Sequence, residues 1–176
     1  MHVNPYGADG VRLGLDFLRT PCSSMSAAAE RGRAHGLILD REDVHEPGLA
    51  LLQDFLVQWA QLVDLVEENA RAAHLNTLLA AYTQPVSVTN HAGDGWHMHF
   101  RTDVLPAHRI MMAFITAGTA LHFVHRGIHR LRRCERQGCD IAFADFSRPG
   151  TQRYCSRACA NTDAVRRHRQ RSKART

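Results

Sequence analysis

Cys134-Glu-Arg-Gln-Gly-Cys139, followed at a distance by Arg153-Tyr-Cys155-Ser-Arg-Ala-Cys159, decides how the end of this chain is read. Four of the five cysteines fall here, in the pattern C-x4-C, fifteen intervening residues, C-x3-C. A zinc ion needs four ligands in a tetrahedron, and two thiolate pairs joined by a short excursion can supply them. Gly138 can relax the turn that points Cys139 inward. The spacing therefore predicts one structural zinc ion held by Cys134, Cys139, Cys155 and Cys159. Two disulfides, or four ordinary buried thiols, are the other readings. The opening residues carry no basic and apolar blocks of a secretion signal, which favours a cytoplasmic, reducing setting and metal over disulfide.

Cys155 and Cys159 lie four apart and share one face if they open a helix. The run from Ala160 to Lys173 has neither Gly nor Pro and can continue that helix. Upstream, Asp140-Ile-Ala-Phe-Ala-Asp-Phe146 alternates as a short strand does, with Ile141 and Phe143 on one side. Ser147-Arg-Pro-Gly150 reads as a turn, and Gln152–Tyr154 as a second short strand. The expected order is knuckle, strand, turn, strand, helix.

Charge separates the chain into two parts. Residues 1–125 hold 8 Lys/Arg and 13 Asp/Glu, a balance of −5, whereas residues 126–176 hold 14 and 4, a balance of +10. Only Lys173 is a lysine. An acidic body with an arginine-rich end points to an anionic partner, and guanidinium forks suit phosphate. Arg153, Arg157, Arg166, Arg167, Arg169, Arg171 and Lys173 are the candidate DNA contacts.

Phe143-Ala-Asp-Phe-Ser-Arg148, Arg153-Tyr-Cys-Ser156, Cys159-Ala-Asn-Thr162 and Val165-Arg-Arg-His-Arg169 together resemble the CGNR zinc finger. The resemblance covers about residues 128–172. Ala160 and Thr162 stand where the family tetrad has Gly and Arg, while Cys159 and Asn161 keep it. Leu13-Gly-Leu-Asp-Phe-Leu-Arg-Thr20 is similar to the opening of the ABATE domain, with Arg19 where Asn is expected. The resemblance implies a treble-clef-like module behind an ABATE-like domain. It also implies a bacterial, stress-induced transcriptional regulator whose N-terminal domain senses a ligand or mediates association, as in a homodimer.

The body reads as α+β. Residues 1–12 look irregular, and Leu13, Leu15 and Phe17 fit either a short strand or the start of a helix. Ser24 to Arg31 allows a helical turn, weakened by Gly32 and Gly36. From Pro47 onward Leu52, Phe55, Leu56, Trp59, Leu62, Val63 and Val66 recur at helical spacing. Ala70 to Tyr82 continues as a second run, with a break near Asn69. Val86–Asn90 and Trp96–Arg101 form a β-hairpin, with Trp96, Met98 and Phe100 on one face and His97 and His99 on the other. The preceding helices are the surface it would pack on. Asp103 caps a third helix, with Pro106 in its first turn; Leu105, Ile110, Met111, Phe114, Ile115, Leu121 and Val124 line it, and Gly127 ends it. The expected architecture is a helical domain with a hairpin over residues 1–127. A treble-clef-like zinc finger with a basic C-terminal helix follows over 128–176, joined without a flexible linker.

Two histidine sets, His91 with His97 and His99, and His122 with His125 and His129, have spacings that could bind a second metal, but a solvated polar face is the simpler reading. Cys22 stands alone and reads as a small hydrophobe. The chain has no P-loop, dinucleotide glycine pattern or GxSxG, and it is expected not to be an enzyme. No stretch approaches eighteen uninterrupted apolar residues, so no membrane partner is expected. The leading expectation is a zinc-containing DNA-binding transcriptional regulator. Protein-binding or RNA-binding adaptors built on the same basic module, and a histidine-cluster metalloenzyme, are the competitors.

Overall fold

The helix from Ala107 to Arg126 sits at the centre of the body because its sequence is apolar nearly all round: Ile110, Met111, Met112, Phe114, Ile115 and Phe123 are all buried. The computed structural model describes residues 7–90, 96–101 and 104–173. In chain order, the elements of the body are α1 (Ala8–Arg19), α2 (Met25–Ala34), α3 (Gly48–Asp64), α4 (Glu68–Tyr82), β1 (Ser87–Thr89), β2 (His97–His99) and the central α5 (Ala107–Arg126). They are followed by β3 (Leu131–Arg133), β4 (Ala142–Ala144) and α6 (Arg157–Lys173). The architecture is the expected one, a helical N-terminal region with a hairpin and a C-terminal finger of two strands and a helix. Among the described residues the body has five α-helices rather than the three main ones read from the sequence.

α1 resolves the ambiguity around Leu13, Leu15 and Phe17 in favour of helix, and the helix begins within the stretch expected to be irregular. Val11, Leu13, Leu15 and Phe17 are all buried because α1 packs on α5, α3 and β4 at once. α1 keeps its polar residues, Asp9, Arg12, Asp16 and Arg19, on one narrow face and turns most of the rest inward. It also approaches α5 closely: a Cβ on Gly10 would stand 3.1 Å from the Gly118 Cα and inside contact distance of the Phe114 carbonyl oxygen. α2 is a full helix despite Gly32, capped by Ser24, whose hydroxyl accepts from the Ala27 N–H at 3.1 Å.

α3 follows its sequence signature, burying Leu52, Phe55, Trp59, Leu62 and Val63. Trp59 is fully buried and its indole N–H donates to Thr119 Oγ1 at 2.9 Å. The break before α4 falls at residues 65–67, ahead of Asn69, and Val66 is left exposed in it. β1 and β2 pair antiparallel with Val88 opposite Met98. The hairpin's inward residue is His99, which is buried, while Trp96 and Met98 face solvent. In α5, Leu121 is only partly buried and Val124 is exposed; Gly127 ends the helix at φ 113°, a conformation open to glycine. The cap read at Asp103, like His91, lies outside the described residues. None of the helices in the described residues is long and apolar enough to cross a membrane.

No gap separates the finger from the body. Leu131, Ala142 and Ala144 belong to the same buried cluster as Phe17, Leu62 and Phe123. Arg71 on α4 is buried and donates to the carbonyls of Val63, Leu65, Ile128 and Leu131, tying two helices to the strand that leads into the cysteines. Arg133 pairs with Asp64 at the end of α3 at 2.6 Å.

Candidate metal centre and the helix it anchors

β3 and β4 pair antiparallel, Leu131 opposite Ala144 and Arg133 opposite Ala142, so the chain leaves and re-enters one short ladder around the first cysteine pair. Cys134 follows β3 directly. Gly138 adopts φ 75°, and Cys139 donates its N–H to the Arg136 carbonyl at 3.0 Å, closing the knuckle that turns both thiols the same way. The second pair sits at the start of α6. Cys155 precedes the helix and Cys159 lies in its first turn, where its N–H donates to Ser156 Oγ at 3.2 Å, as at an N-cap.

The four sulfurs all lie within 4.8 Å of one another. Cys139 and Cys155 are 3.9 Å apart, Cys155 and Cys159 3.6 Å, and Cys139 and Cys159 3.9 Å. A tetrahedral zinc with Zn–S bonds of about 2.3 Å has sulfurs about 3.8 Å apart, so the residues fit the ion. Donors point at the cluster: among them the Cys155 N–H reaches Cys134 Sγ at 3.4 Å and the Arg136 Nε–H reaches Cys159 Sγ at 3.3 Å. Such outer hydrogen bonds hold ligands in place and offset thiolate charge.

The thiols do not ionise alike. The Ser156 hydroxyl first, then hydrogen bonds from Cys155, Arg136 and Cys139, lowers Cys159 to about 6. Burial first, then its sulfur neighbours, pushes Cys155 up to about 12. Cys139 is lowered, chiefly by the Ile141 N–H. The cluster by itself stabilises a thiolate at one corner and resists one at another, and a divalent cation removes that resistance by drawing all four sulfurs into the ionised form.

Among the described residues these four cysteines are the one group of three or more metal-capable side chains drawn together. His122 is fully buried, while His125 and His129 are exposed, so that set shares no centre. Cys22 is buried against the body core with its thiol raised by burial, the small hydrophobe expected. Gln152–Tyr154 does not form the expected strand. The Arg153 carbonyl accepts from the Glu135 N–H at 3.0 Å, but the Gln152 N–H is taken by Asp145 Oδ2 at 2.7 Å. Asp145 is fully buried; its Oδ1 accepts from the Ser147 N–H and hydroxyl, so this one carboxylate organises the turn.

The basic residues divide by partner. Arg153 pairs with Glu135. Arg166 and Arg167 both fold onto Asp163, at 2.7 and 3.0 Å, and Asp163 also accepts from the Tyr154 hydroxyl at 2.7 Å. Asp163 is the only buried residue of α6 among those described. Sequence reading passed over it, although an acid three and four residues before two arginines is a visible helical signal. Arg157, Arg169, Arg171 and Lys173 are exposed, and no ion pair is formed by them within the described residues.

Two ligand pairs on a knuckle and a helix start, followed by an exposed basic helix, define a small four-cysteine zinc-finger module packed on a helical body. The family model of the CGNR zinc finger matches residues 130–172, so that segment is similar to that family. No curated protein matches the chain.

Proposed function

We propose that the chain is a DNA-binding transcriptional regulator. In this reading Cys134, Cys139, Cys155 and Cys159 hold one zinc ion, which fixes the start of α6, and the helix lays its arginines against DNA phosphates. The observation that carries the reading is the isolation of α6. It has 17 residues, of which only Asp163 is buried. Its charge is held outward by Arg157, Arg169, Arg171 and Lys173, and Arg166 and Arg167 share one carboxylate, leaving a further positive charge. A solvated helix this polar gains little from packing and makes sense as a surface for a polyanion. With all four positions taken by thiolate, the ion has no site for a substrate water, so its role is structural.

Residues 1–127 form, in this proposal, the ABATE-like unit that senses a ligand or mediates association as a homodimer, and residues 128–176 the finger. The protein would act in the cytoplasm, on the nucleoid. An RNA- or protein-binding adaptor is the competing use of the same basic surface.

Two measurements test the proposal. Purified protein should contain one zinc per chain, and Cys155→Ser should lose it. About five phosphate contacts should make log affinity for duplex DNA fall against log salt with a slope near −4.5. A flat salt response would remove the DNA reading, and binding to a single protein partner with no nucleic-acid binding would favour the adaptor.

A further inference from the structure

We propose that α6 reads DNA sequence through an uncharged ridge on its outer face, with Asn161 as the base-specifying residue and Val165, His168 and Ser172 extending the contact along the groove. This rests on α6 being the DNA-binding helix.

The ridge follows from helix geometry. Asn161, Val165, His168 and Ser172 are spaced by four, three and four, which places them on one stripe of a 3.6-residue helix. Cys159 and Asp163, the two residues that hold α6 to the finger, lie on the opposite side. The stripe is therefore turned away from the rest of the finger, and all four residues are exposed, Val165 at 50%. Within the described residues the Asn161 amide makes no hydrogen bond.

Charge is distributed to either side of this line and avoids it. Arg157 and Arg171 border one edge, and Arg169 and Lys173, with Thr162 between them, border the other. A helix meant only to lie along phosphates gains most from cations at its centre line. A helix pressed into the major groove needs the reverse arrangement. Its centre faces base edges, which carry donors, acceptors and the thymine methyl, and its two flanks face the phosphates of the two strands. A groove about 12 Å wide admits a helix about 10–12 Å across.

The chemistry of the ridge suits that role. A free Asn amide can pair with both the N6 and N7 positions of adenine, and a Val side chain can meet a thymine methyl. From Asn161 to Ser172 the rise is about 16 Å, or about five base pairs at about 3.4 Å each. The structure thus assigns sequence information to residues outside the arginine set, and assigns the arginines to orientation and affinity.

The test uses full-length, zinc-loaded protein and a randomised duplex library, with Asn161→Ala and Arg169→Ala as variants, and binding to bulk duplex of mixed sequence measured alongside. The wild type should enrich a motif of about five base pairs per chain that contains a specified adenine–thymine pair. Asn161→Ala should cut the preference at that pair by about five- to a hundred-fold while leaving bulk affinity within about twofold. Arg169→Ala should weaken all sequences alike. Salt-dependent binding with no motif, or a motif that survives Asn161→Ala, would overturn the ridge and leave phosphate binding by α6 standing. Absence of duplex binding, or preferential capture of a single-stranded RNA library, would overturn both readings.

Discussion

His122 shows at the residue scale what the junction between body and finger costs. Its ring is fully buried on α5, edge-on to Phe146, and neither ring nitrogen has a hydrogen-bond partner within the described residues. Burial first, then the nearby Arg130 and Arg126, lowers it from 6.5 to about 4, against the opposing pull of Asp145. Arg12 lies over the Phe146 ring, 4.7 Å from its centroid. The fold keeps His122 neutral down to about pH 4, whereas the unfolded chain protonates from 6.5 downward. The unfolded state therefore binds the extra proton in that window, and stability falls as pH drops from about 6.5 to about 4, by about 3 kcal/mol in all. His122→Leu removes the titration and two unpaired polar atoms. Urea midpoints for the variant should match or exceed wild type at pH 7.5 and should exceed it by a growing margin towards pH 4.5. Parallel pH profiles for the two proteins would show that His122 is not the group responsible.

At the scale of elements, legibility followed local spacing. α3 was readable because one face is buried and the other wet, so its apolar residues recur at helical spacing. α1 was not, although Asp9, Arg12, Asp16 and Arg19 share one polar face, because Gly10 and Gly14 weaken the helix signal and Leu13, Leu15 and Phe17 alternate locally as a strand does. The hairpin's existence was visible in its alternation, but its orientation was not: strand periodicity separates two faces without saying which turns inward, and here buried His99 does. In the finger the four cysteines were legible from spacing alone. Arg136 and Tyr154, which brace the cysteines and α6, were not, since nothing in their types or intervals distinguishes them from surface residues; the helical spacing of Asp163 to Arg166 and Arg167 was visible, but not that Asp163 is buried. The α1–α5 contact yields a prediction specific to these two helices. Gly10→Ala places a methyl against the Gly118 Cα and the Phe114 carbonyl, both backbone, so neither can swing aside as a side chain would. α1 must lift, at a cost of about 1–3 kcal/mol. Gly36→Ala serves as the comparison. A Cβ there meets nothing, so any cost comes from its positive φ of 87° and none from crowding. Equal helix–helix distances in wild type and Gly10→Ala, read by paired spin labels on α1 and α5, would refute the crowding account.

For the whole molecule the question is how much of the structure depends on the metal. The buried cluster runs from Val11 to Ala144 without interruption, and Arg71 fastens β3 to α3 and α4 through backbone carbonyls that need no ion. Beyond β4 the support changes. The loop carrying Cys155 and the start of α6 are held by the sulfur cluster, by the Asp145 turn, and by Tyr154 and the arginines gathered on Asp163. A lone helix of 17 residues with one buried side chain is marginal in water. The proposed zinc ion, bound only in the folded finger, would contribute on the order of 10 kcal/mol to that finger. Chelation should therefore undo the finger and spare the body. The expected result is a drop in helical circular dichroism of the size of α6. The indole N–H resonance of Trp59, bonded to Thr119 deep in the body, should stay where it was. Adding zinc back at neutral pH should restore the lost signal, and at pH 5 it should do so only weakly, because protons compete for the sulfurs. If Trp59 shifts together with α6 on chelation, body and finger unfold as one cooperative unit, and the core that crosses residue 127 depends on the ion after all.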